Sequence, residues 1–297
     1  MRGLLLAILF AASANAQFQI VFDYSRDTQG FFTGANSGRQ AYLQAAGDYV
    51  SSILSPTALA AINPSGSNTW NPSISNPGSG ASESLGSISI SLNTVLIYAG
   101  ARELGTSTLG IGGPGGFSAN GSQSWFSTIN FRGNQPYDMS WGGSLTFDIT
   151  TSWYFDSDIT TVESFAGKHD FFSIAVHEIG HVLGFGTTNA WNSLVNTSSG
   201  AGFFTGTRSK AAYGASVPLA SGYGHWAANT MSTVFGKGTV QEALMDPNIG
   251  TNTRKYLTVL DAAGLSDIGY TAVPEPSTLA LICIGAALVF ARTRMRC

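Results

Sequence analysis

The pentapeptide His177-Glu178-Ile179-Gly180-His181 is the feature that most constrains the fold of this 297-residue chain. Two histidines four residues apart can lie on one face of a helix, one turn apart, where their ring nitrogens can bind the same metal ion. The seven residues before the motif carry apolar side chains at helical spacing and include neither proline nor glycine. The sequence therefore predicts a helix that begins near Asp170 and carries both histidines.

The residues within and after the motif indicate what such a helix would do. Glu178 lies between the histidines, where a carboxylate can take a proton from a zinc-bound water while the metal polarises a substrate carbonyl. Gly184 follows three residues after His181, and glycine readily adopts the left-handed conformation that ends a helix. An unmetallated helix surface is the alternative for the pair, but the context favours a zinc site with hydrolytic chemistry.

The motif resembles the metzincin clan of zinc proteases, whose longer signature adds a third histidine three residues after the glycine. Thr187 occupies that position here, and threonine is a poor zinc ligand. Because a catalytic zinc site usually has three protein ligands and an open fourth position, the third ligand must come from elsewhere in the chain.

A delayed histidine and a methionine turn follow in order. His225, within Gly224-His225-Trp226, lies 44 residues after His181, and Met245 lies in the segment Leu244-Met245-Asp246-Pro247. This order resembles the leishmanolysin-type metzincins, in which a stretch of chain is inserted before the third ligand. The resemblance covers residues 170–270 and implies a closing helix within residues 256–270. It also implies His177, His181 and His225 as zinc ligands, Glu178 as general base and Met245 as the apolar floor beneath the metal.

Other assignments remain open for the third ligand. His225 could be a structural histidine in a glycine-rich loop. In the other lineage with this motif the third ligand is a glutamate on a following helix, for which Glu242 is the candidate; Gly184 and the methionine turn disfavour that lineage. His169 could substitute as a ligand, although an ordinary position at the helix entry is favoured.

The two ends of the chain have the character of targeting segments. Residues 1–16 combine Arg2, an apolar run and a small-residue exit, which predicts a secretory signal cleaved before Gln17. Residues 273–297 contain Pro274-Glu275-Pro276, an apolar stretch and three arginines, and they resemble a PEP-CTERM sorting tail. That resemblance implies transient membrane anchoring, processing by an exosortase-type enzyme, and a secreted or cell-surface location in a Gram-negative bacterium. A plain single-pass anchor is the alternative.

Composition excludes other classes of function. Both cysteines, Cys283 and Cys297, lie in the tail, so the predicted mature domain of residues 17–272 has neither a disulfide nor a thiol nucleophile. Without the two ends, 10 basic and 16 acidic residues remain, and the formal charge is −6. No basic cluster supports nucleic-acid binding.

The pattern between the ends predicts an α+β domain: a mixed twisted sheet and the active-site helix in the N-terminal part, then an irregular C-terminal part with the closing helix. Periodicity predicts a helix over residues 39–54 and a loop over residues 63–86. Alternating or continuous apolar residues predict strands, with an exposed sheet edge that could bind a peptide. These strands span residues 18–24, 88–92, 94–99, 125–132 and 145–149.

Two further patterns invite a functional interpretation that the sequence disfavours. Residues 110–115 have the spacing of a dinucleotide-binding loop, but Pro114 and the following residues do not open a helix, so a flexible loop is predicted. Asp156, Asp158 and Glu163 could bind calcium, but they lack the spacing of an EF-hand, and solvated surface carboxylates are favoured.

These observations predict a secreted or cell-surface zinc metalloendopeptidase that hydrolyses peptide bonds through a zinc-activated water and Glu178. Its substrates would be proteins or peptides. The alternative is a catalytically inactive, surface-displayed binding or matrix protein that retains a zinc site. The intact glutamate favours the enzyme, because a structural zinc site needs no base.

Overall fold

The computed structural model describes residues 17–54, 58–105, 107–161, 163–198 and 200–273. The predicted signal segment and nearly all of the predicted sorting tail lie outside these residues. Within them, every helix is too short or too polar to cross a bilayer. The described elements begin with the strands β1 (Gln19–Asp23), β2 (Thr69–Ser75), β3 (Ser82–Ser84), β4 (Thr94–Arg102), β5 (Gly110–Pro114), β6 (Gly116–Asn120), β7 (Gly142–Asp148), β8 (Trp153–Tyr154), β9 (His169–Asp170), β10 (Val195–Asn196), β11 (Phe203–Phe204), β12 (Val217–Pro218), β13 (Met231–Thr233) and β14 (Val240–Glu242). The helices are α1 (Arg39–Ile53), α2 (Gln123–Phe131), α3 (Phe171–Val182), α4 (Asn189–Asn192), α5 (Thr207–Tyr213) and α6 (Val259–Asp267), with a short 3-10 turn at Gly34–Asn36.

A four-stranded mixed sheet in the order β1-β4-β7-β5 forms the centre of the N-terminal part. Its first three strands are parallel, and β5 runs antiparallel to β7 at one edge. Nearly every residue of β4 and β7 is buried, as expected for strands covered on both faces. The strands predicted over residues 18–24, 94–99 and 145–149 are thereby confirmed as β1, β4 and β7.

The two faces of the sheet contact different apolar cores. Val95, Ile97 and Ala99 of β4 belong to the larger core, against which α1 and α3 pack. Leu96 and Tyr98, which alternate with them, contact the smaller core instead. Because successive side chains of a strand point to opposite faces, a single strand serves both cores.

The smaller core lies among α2 and the sheet β3-β2-β6, where two predictions are wrong. Residues 63–86, predicted as a loop, contain β2 and β3. Residues 125–132, predicted as a strand, form most of α2: Trp125 and Ile129 are buried four residues apart, and the Ser122 hydroxyl accepts a hydrogen bond from Trp125 N. The aromatic and β-branched content of this segment favours strand, but packing and this N-terminal cap favour helix.

The glycine-rich segment at the sheet edge also differs from its prediction. Residues 110–115 contain β5, and β6 follows directly, so the predicted loop is wrong, although no helix opens here either. The predicted strand at residues 88–92 contributes only an isolated bridge between Ile90 and Ile62. Long-range pairing with β7 fixes β5 despite its unfavourable composition.

The C-terminal part consists of short elements and irregular chain, as predicted. Two small sheets, β10-β11-β12 and β13-β14, lie between α3 and α6. The predicted closing helix is α6, which begins with a capping box between Thr258 and Asp261. The mixed α+β class predicted from the sequence is therefore confirmed.

Candidate metal centre and active-site cleft

Helix α3 carries the paired histidines, and the residues before it hold its first turn. The Asp170 carboxylate accepts hydrogen bonds from Ser173 N at 3.1 Å and from the Ser173 hydroxyl at 2.6 Å. It also forms a fully buried ion pair with Arg254, whose Nη2 lies 2.7 Å from Asp170 Oδ1. A buried carboxylate is stable only when paired and hydrogen-bonded, so this network anchors the helix from the C-terminal part of the chain.

The helix ends where the sequence predicts. Val182 is its last residue, and Gly184 has a φ of +113°, a region that side-chain-bearing residues rarely adopt. Thr187, where the longer metzincin signature has histidine, instead donates from its hydroxyl to the carbonyl of His181 at 2.9 Å. The chain then passes through α4, β10–β12 and α5 before it returns to the cleft at His225.

The three histidines of the sequence prediction lie together. The Nε2 atoms of His177 and His181 are 3.1 Å apart, and His225 Nε2 lies 3.2 Å from the first and 2.9 Å from the second. Among the described residues these three form the one group of potential metal ligands. A tetrahedral zinc with Zn–N bonds of about 2.0–2.1 Å needs donor atoms roughly 3.3 Å apart, close to the observed triangle.

Hydrogen bonds orient the two helical rings. His177 Nδ1 lies 2.8 Å from the Leu244 carbonyl, and His181 Nδ1 lies 2.8 Å from the Phe185 carbonyl. A carbonyl accepts only, so each Nδ1 carries the proton and each Nε2 presents a lone pair. Convergent lone pairs repel one another without a cation between them, so the residues present fit a divalent metal.

Burial keeps these rings neutral. It lowers the pKa of His177 well below the usual value, and His181 and His225 lower it further. Burial lowers the pKa of His181 to about 4, to which His225 also contributes. Burial also lowers the pKa of His225. A neutral imidazole is the form that binds metal, so protons compete weakly at this site near neutral pH.

Glu178 lies beside the histidine triangle at the wall of the cleft. Only 7% of the residue is exposed. Burial raises the pKa of its carboxyl to about 8, and the main-chain N–H of Gly112 lowers it in part. A carboxyl group whose pKa lies near neutrality can both take and return a proton, which is the requirement for a general acid–base group.

Met245 lies buried beneath the motif. A Cβ atom added to Gly180, between the two helical histidines, would lie 2.8 Å from Met245 Sδ. Glycine at this position lets the thioether pack directly against the motif helix. The role of Met245 as an apolar floor beneath a metal stays a prediction.

The Asp261 carboxylate links the segments around the centre, and the sequence analysis missed this role. Its Oδ1 accepts from Trp226 Nε1 at 3.0 Å and from Met245 N at 3.2 Å, and its Oδ2 accepts from Leu244 N at 2.9 Å. It also caps α6 through Thr258. One buried side chain therefore holds the neighbour of His225, the methionine turn and the carbonyl-bearing residue that orients His177. The spacing Thr258-x-x-Asp261 signals the cap, but nothing local signals the other contacts.

Other candidate residues lie outside the histidine cluster. The Glu242 carboxylate accepts from Lys255 Nζ at 2.9 Å and from Asn229 N at 2.6 Å, so it is already occupied. His169 lies in β9 and lines the cleft, but it is not in the metal-ligating group. Asp156 forms a buried ion pair with Arg254, contrary to its predicted solvation, whereas Asp158 is exposed as predicted.

The histidines and Glu178 lie in a cleft of about 730 Å³. Its lining includes residues 110–112 of β5, residues of α3, Leu244 and residues 246–250. Sheet edge, metal-ligating group and base therefore face one shared space.

Comparison with known families agrees with this geometry. Residues 129–200 match the matrixin family of peptidases, which is zinc-dependent, and residues 272–296 match the PEP-CTERM protein-sorting motif. The first match includes His177, Glu178 and His181 but ends before His225. No curated protein and no solved structure matches the chain significantly.

These matches support a metalloprotease of the metzincin type. The sorting motif likewise indicates an exported protein.

Proposed function

We propose that this chain is a secreted or cell-surface zinc metalloendopeptidase. The observation that carries the proposal is the convergence of three imidazole Nε2 atoms within 3.2 Å of one another, with a buried carboxyl group beside them. His177, His181 and His225 would hold the zinc ion. When bound, zinc supplies a Lewis acid that polarises a carbonyl and lowers the pKa of water.

Glu178 would act as the general base and then as the acid. Its carboxylate takes a proton from the attacking water and passes it to the nitrogen of the leaving amine. A raised pKa makes the carboxylate a stronger base for the first of these steps. Met245 would support the histidines from below.

Strand β5 would bind the peptide substrate. The register with β7 pairs Leu109 with Asp148 and Gly115 with Gly142, and both pairs are joined by main-chain hydrogen bonds. Because hydrogen-bonded pairs alternate along antiparallel strands, the main-chain groups of Gly110 and Gly112 face away from β7. The Gly112 N–H donates to the Glu178 carboxyl group, which leaves the N–H and C=O of Gly110 and the C=O of Gly112. β5 is the last strand of its sheet among the described residues, so these groups can pair with an extended peptide.

We further infer a leishmanolysin-type arrangement within the metzincins. The chain between Gly184 and His225 contains α4, β10–β12 and α5, which supports an inserted segment before the third ligand. The proposed mature domain is residues 17–272, after removal of a signal peptide at residues 1–16. The tail at residues 273–297 would be processed by an exosortase-type enzyme at the surface of a Gram-negative bacterium.

A catalytically inactive binding or matrix protein that keeps its zinc is the second candidate. The open cleft and the base beside the histidines favour the enzyme, because a purely structural site usually fills all four zinc positions with protein. The two functions differ in one measurable respect, which is turnover.

The test uses the full-length chain purified in detergent. We expect about one zinc ion per chain and cleavage of an unfolded protein that stops when a chelator removes the zinc and resumes when zinc is restored. Glu178→Ala should retain zinc and lose cleavage by several orders of magnitude. Zinc binding without any cleavage by the wild-type chain would favour the binding protein, and turnover by Glu178→Ala would exclude the proposed base.

A further inference from the structure

Strand β5, which lies beside the proposed general base Glu178, contains three glycines among its five residues. Gly110 and Gly112 lie on the face of β5 that packs on α3, because alternate residues of a strand point to the same face. Ile111, on the opposite face, is 45% exposed, and Gly113 on that face has open space around it. Only the face toward α3 is therefore crowded.

The contacts of this face are made with Glu178. A Cβ atom added to Gly110 would lie 2.8 Å from Glu178 Cγ, 2.9 Å from Glu178 Oε1 and 3.0 Å from Ile174 Cγ2. A Cβ atom added to Gly112 would overlap the main-chain carbonyl of Glu178. A side chain at position 110 would therefore press on the movable side chain of Glu178, whereas one at position 112 would press on its rigid main chain.

Gly110 thus has two neighbours of functional interest. Its main-chain N–H and C=O face the open sheet edge, where a peptide can pair, and the place of its missing side chain lies against the Glu178 carboxyl group. The glycine pair lets the helix approach the edge so closely that the carboxyl group lies beside the main-chain groups of Gly110.

We propose that Gly110 is a positioning residue for Glu178: the absence of a side chain at this edge position determines where the carboxylate lies relative to a peptide paired with the strand. The inference rests on the proposed function. A side chain at position 110 displaces the carboxylate, while the main-chain groups that bind the peptide and the histidines that bind the metal stay in place.

The substitution Gly110→Ala tests this directly. We expect kcat to fall by about 10- to 100-fold, since a displacement of about 1 Å at a reacting group can cost two orders of magnitude. The KM for a peptide substrate and the Kd for zinc should stay within about twofold of the wild-type values. Gly113→Ala is the matched control, because the added methyl group meets nothing within 4 Å, and it should leave all three quantities unchanged.

Two further measurements keep the inference testable. If Gly110→Ala does not fold, a double variant that also carries Ile174→Ala removes the contact between the added methyl group and Ile174. The kcat of this double variant is compared with that of Ile174→Ala alone. A crystal structure of the zinc-loaded variant provides a readout that does not need turnover: the Glu178 carboxylate should be displaced relative to the wild type.

The outcomes separate the two proposals. A wild-type chain that binds zinc and cleaves nothing overturns the proposed function, and the carboxylate position in Gly110→Ala still decides the role of the glycine. An unchanged kcat in Gly110→Ala, a rise in KM alone, or an unmoved carboxylate overturns the positioning role and leaves the protease assignment intact.

Discussion

Replacing Asp261 with asparagine should weaken zinc binding from a position outside the cleft. The side chain is fully buried and accepts five hydrogen bonds, from Trp226, Leu244, Met245 and twice from Thr258. Asparagine has nearly the same shape but replaces one acceptor oxygen with an NH2 donor. The substitution therefore changes hydrogen bonding with little change in volume.

The expected magnitude follows from the donors left without an acceptor. With the NH2 group at the Oδ1 position, Trp226 Nε1 and Met245 N lose their partner; the reverse orientation orphans two main-chain N–H groups. Each unsatisfied buried donor costs about 1–3 kcal/mol, so we expect the free energy of unfolding to fall by roughly 2–6 kcal/mol. The neutral amide also avoids the burial cost of a carboxylate, which favours the lower half of that range.

Zinc affinity should fall by about 10- to 100-fold, because the groups that orient metal ligands typically contribute that much. Urea denaturation gives the first quantity, and competition with a chelator of known affinity gives the second. Asp267→Asn is the matched control on the same helix: its carboxylate accepts from Arg208 N and Ser209 N, both at 2.8 Å, and contacts no part of the metal centre. It should lose stability and keep wild-type zinc affinity.

The zinc affinities of the two variants together show whether Asp261 positions the metal ligands. If Asp261→Asn binds zinc as tightly as the wild type, the carboxylate does not position the ligands. If Asp267→Asn loses as much zinc affinity as Asp261→Asn, the loss reflects general destabilisation.

Three other predictions concern the ligands and their support. His225→Ala should lower the zinc content of the purified chain to a small fraction of the wild type. Glu242→Ala should keep the wild-type zinc content, because that carboxylate is bound to Lys255. Loss of zinc in Glu242→Ala but not in His225→Ala would favour the glutamate lineage. The metal-free protein should lose stability as the pH falls from about 6.5 toward 4. Burial lowers the pKa of His181 to about 4, so in this range the unfolded chain binds more protons than the folded one. Equal melting temperatures at pH 7 and pH 5 would contradict this. Arg254→Met should lower the free energy of unfolding by about 3–5 kcal/mol, because it leaves Asp170 buried without its cation. Urea denaturation measures this change, and a loss below about 1 kcal/mol would show that the ion pair is dispensable.

The sequence alone predicts the motif-bearing helix and its end, since both depend on interactions between residues close in the chain. Histidines at positions 177 and 181 must share a helix face, and Gly184 can stop that helix without any tertiary partner. The strands β1, β4 and β7 were also predictable, because continuous apolar runs indicate buried strands. His225 and Met245 were found through a resemblance in their order, because no local pattern connects them to the helix.

Tertiary structure decided the elements whose local composition is misleading. β5 is three-fifths glycine and has the local pattern of a loop, yet pairing with β7 makes it a strand at the cleft. The segment that forms α2 has the aromatic content of a strand, yet packing of Trp125 and Ile129 in the smaller core makes it a helix. These outcomes depend on contacts between distant residues, which residue periodicity does not encode.

The metal centre combines both sources of information. Residue identity determined which side chains can bind zinc and which can carry a proton, since imidazole and carboxylate chemistry is fixed by the sequence. The fold alone decided that three Nε2 atoms meet within 3.2 Å, that Asp261 ties their supporting segments together, and that a glycine edge lies against Glu178. The physical reason is that positions to within a few tenths of an ångström arise from packing across the whole domain, while chemical capacity resides in single residues.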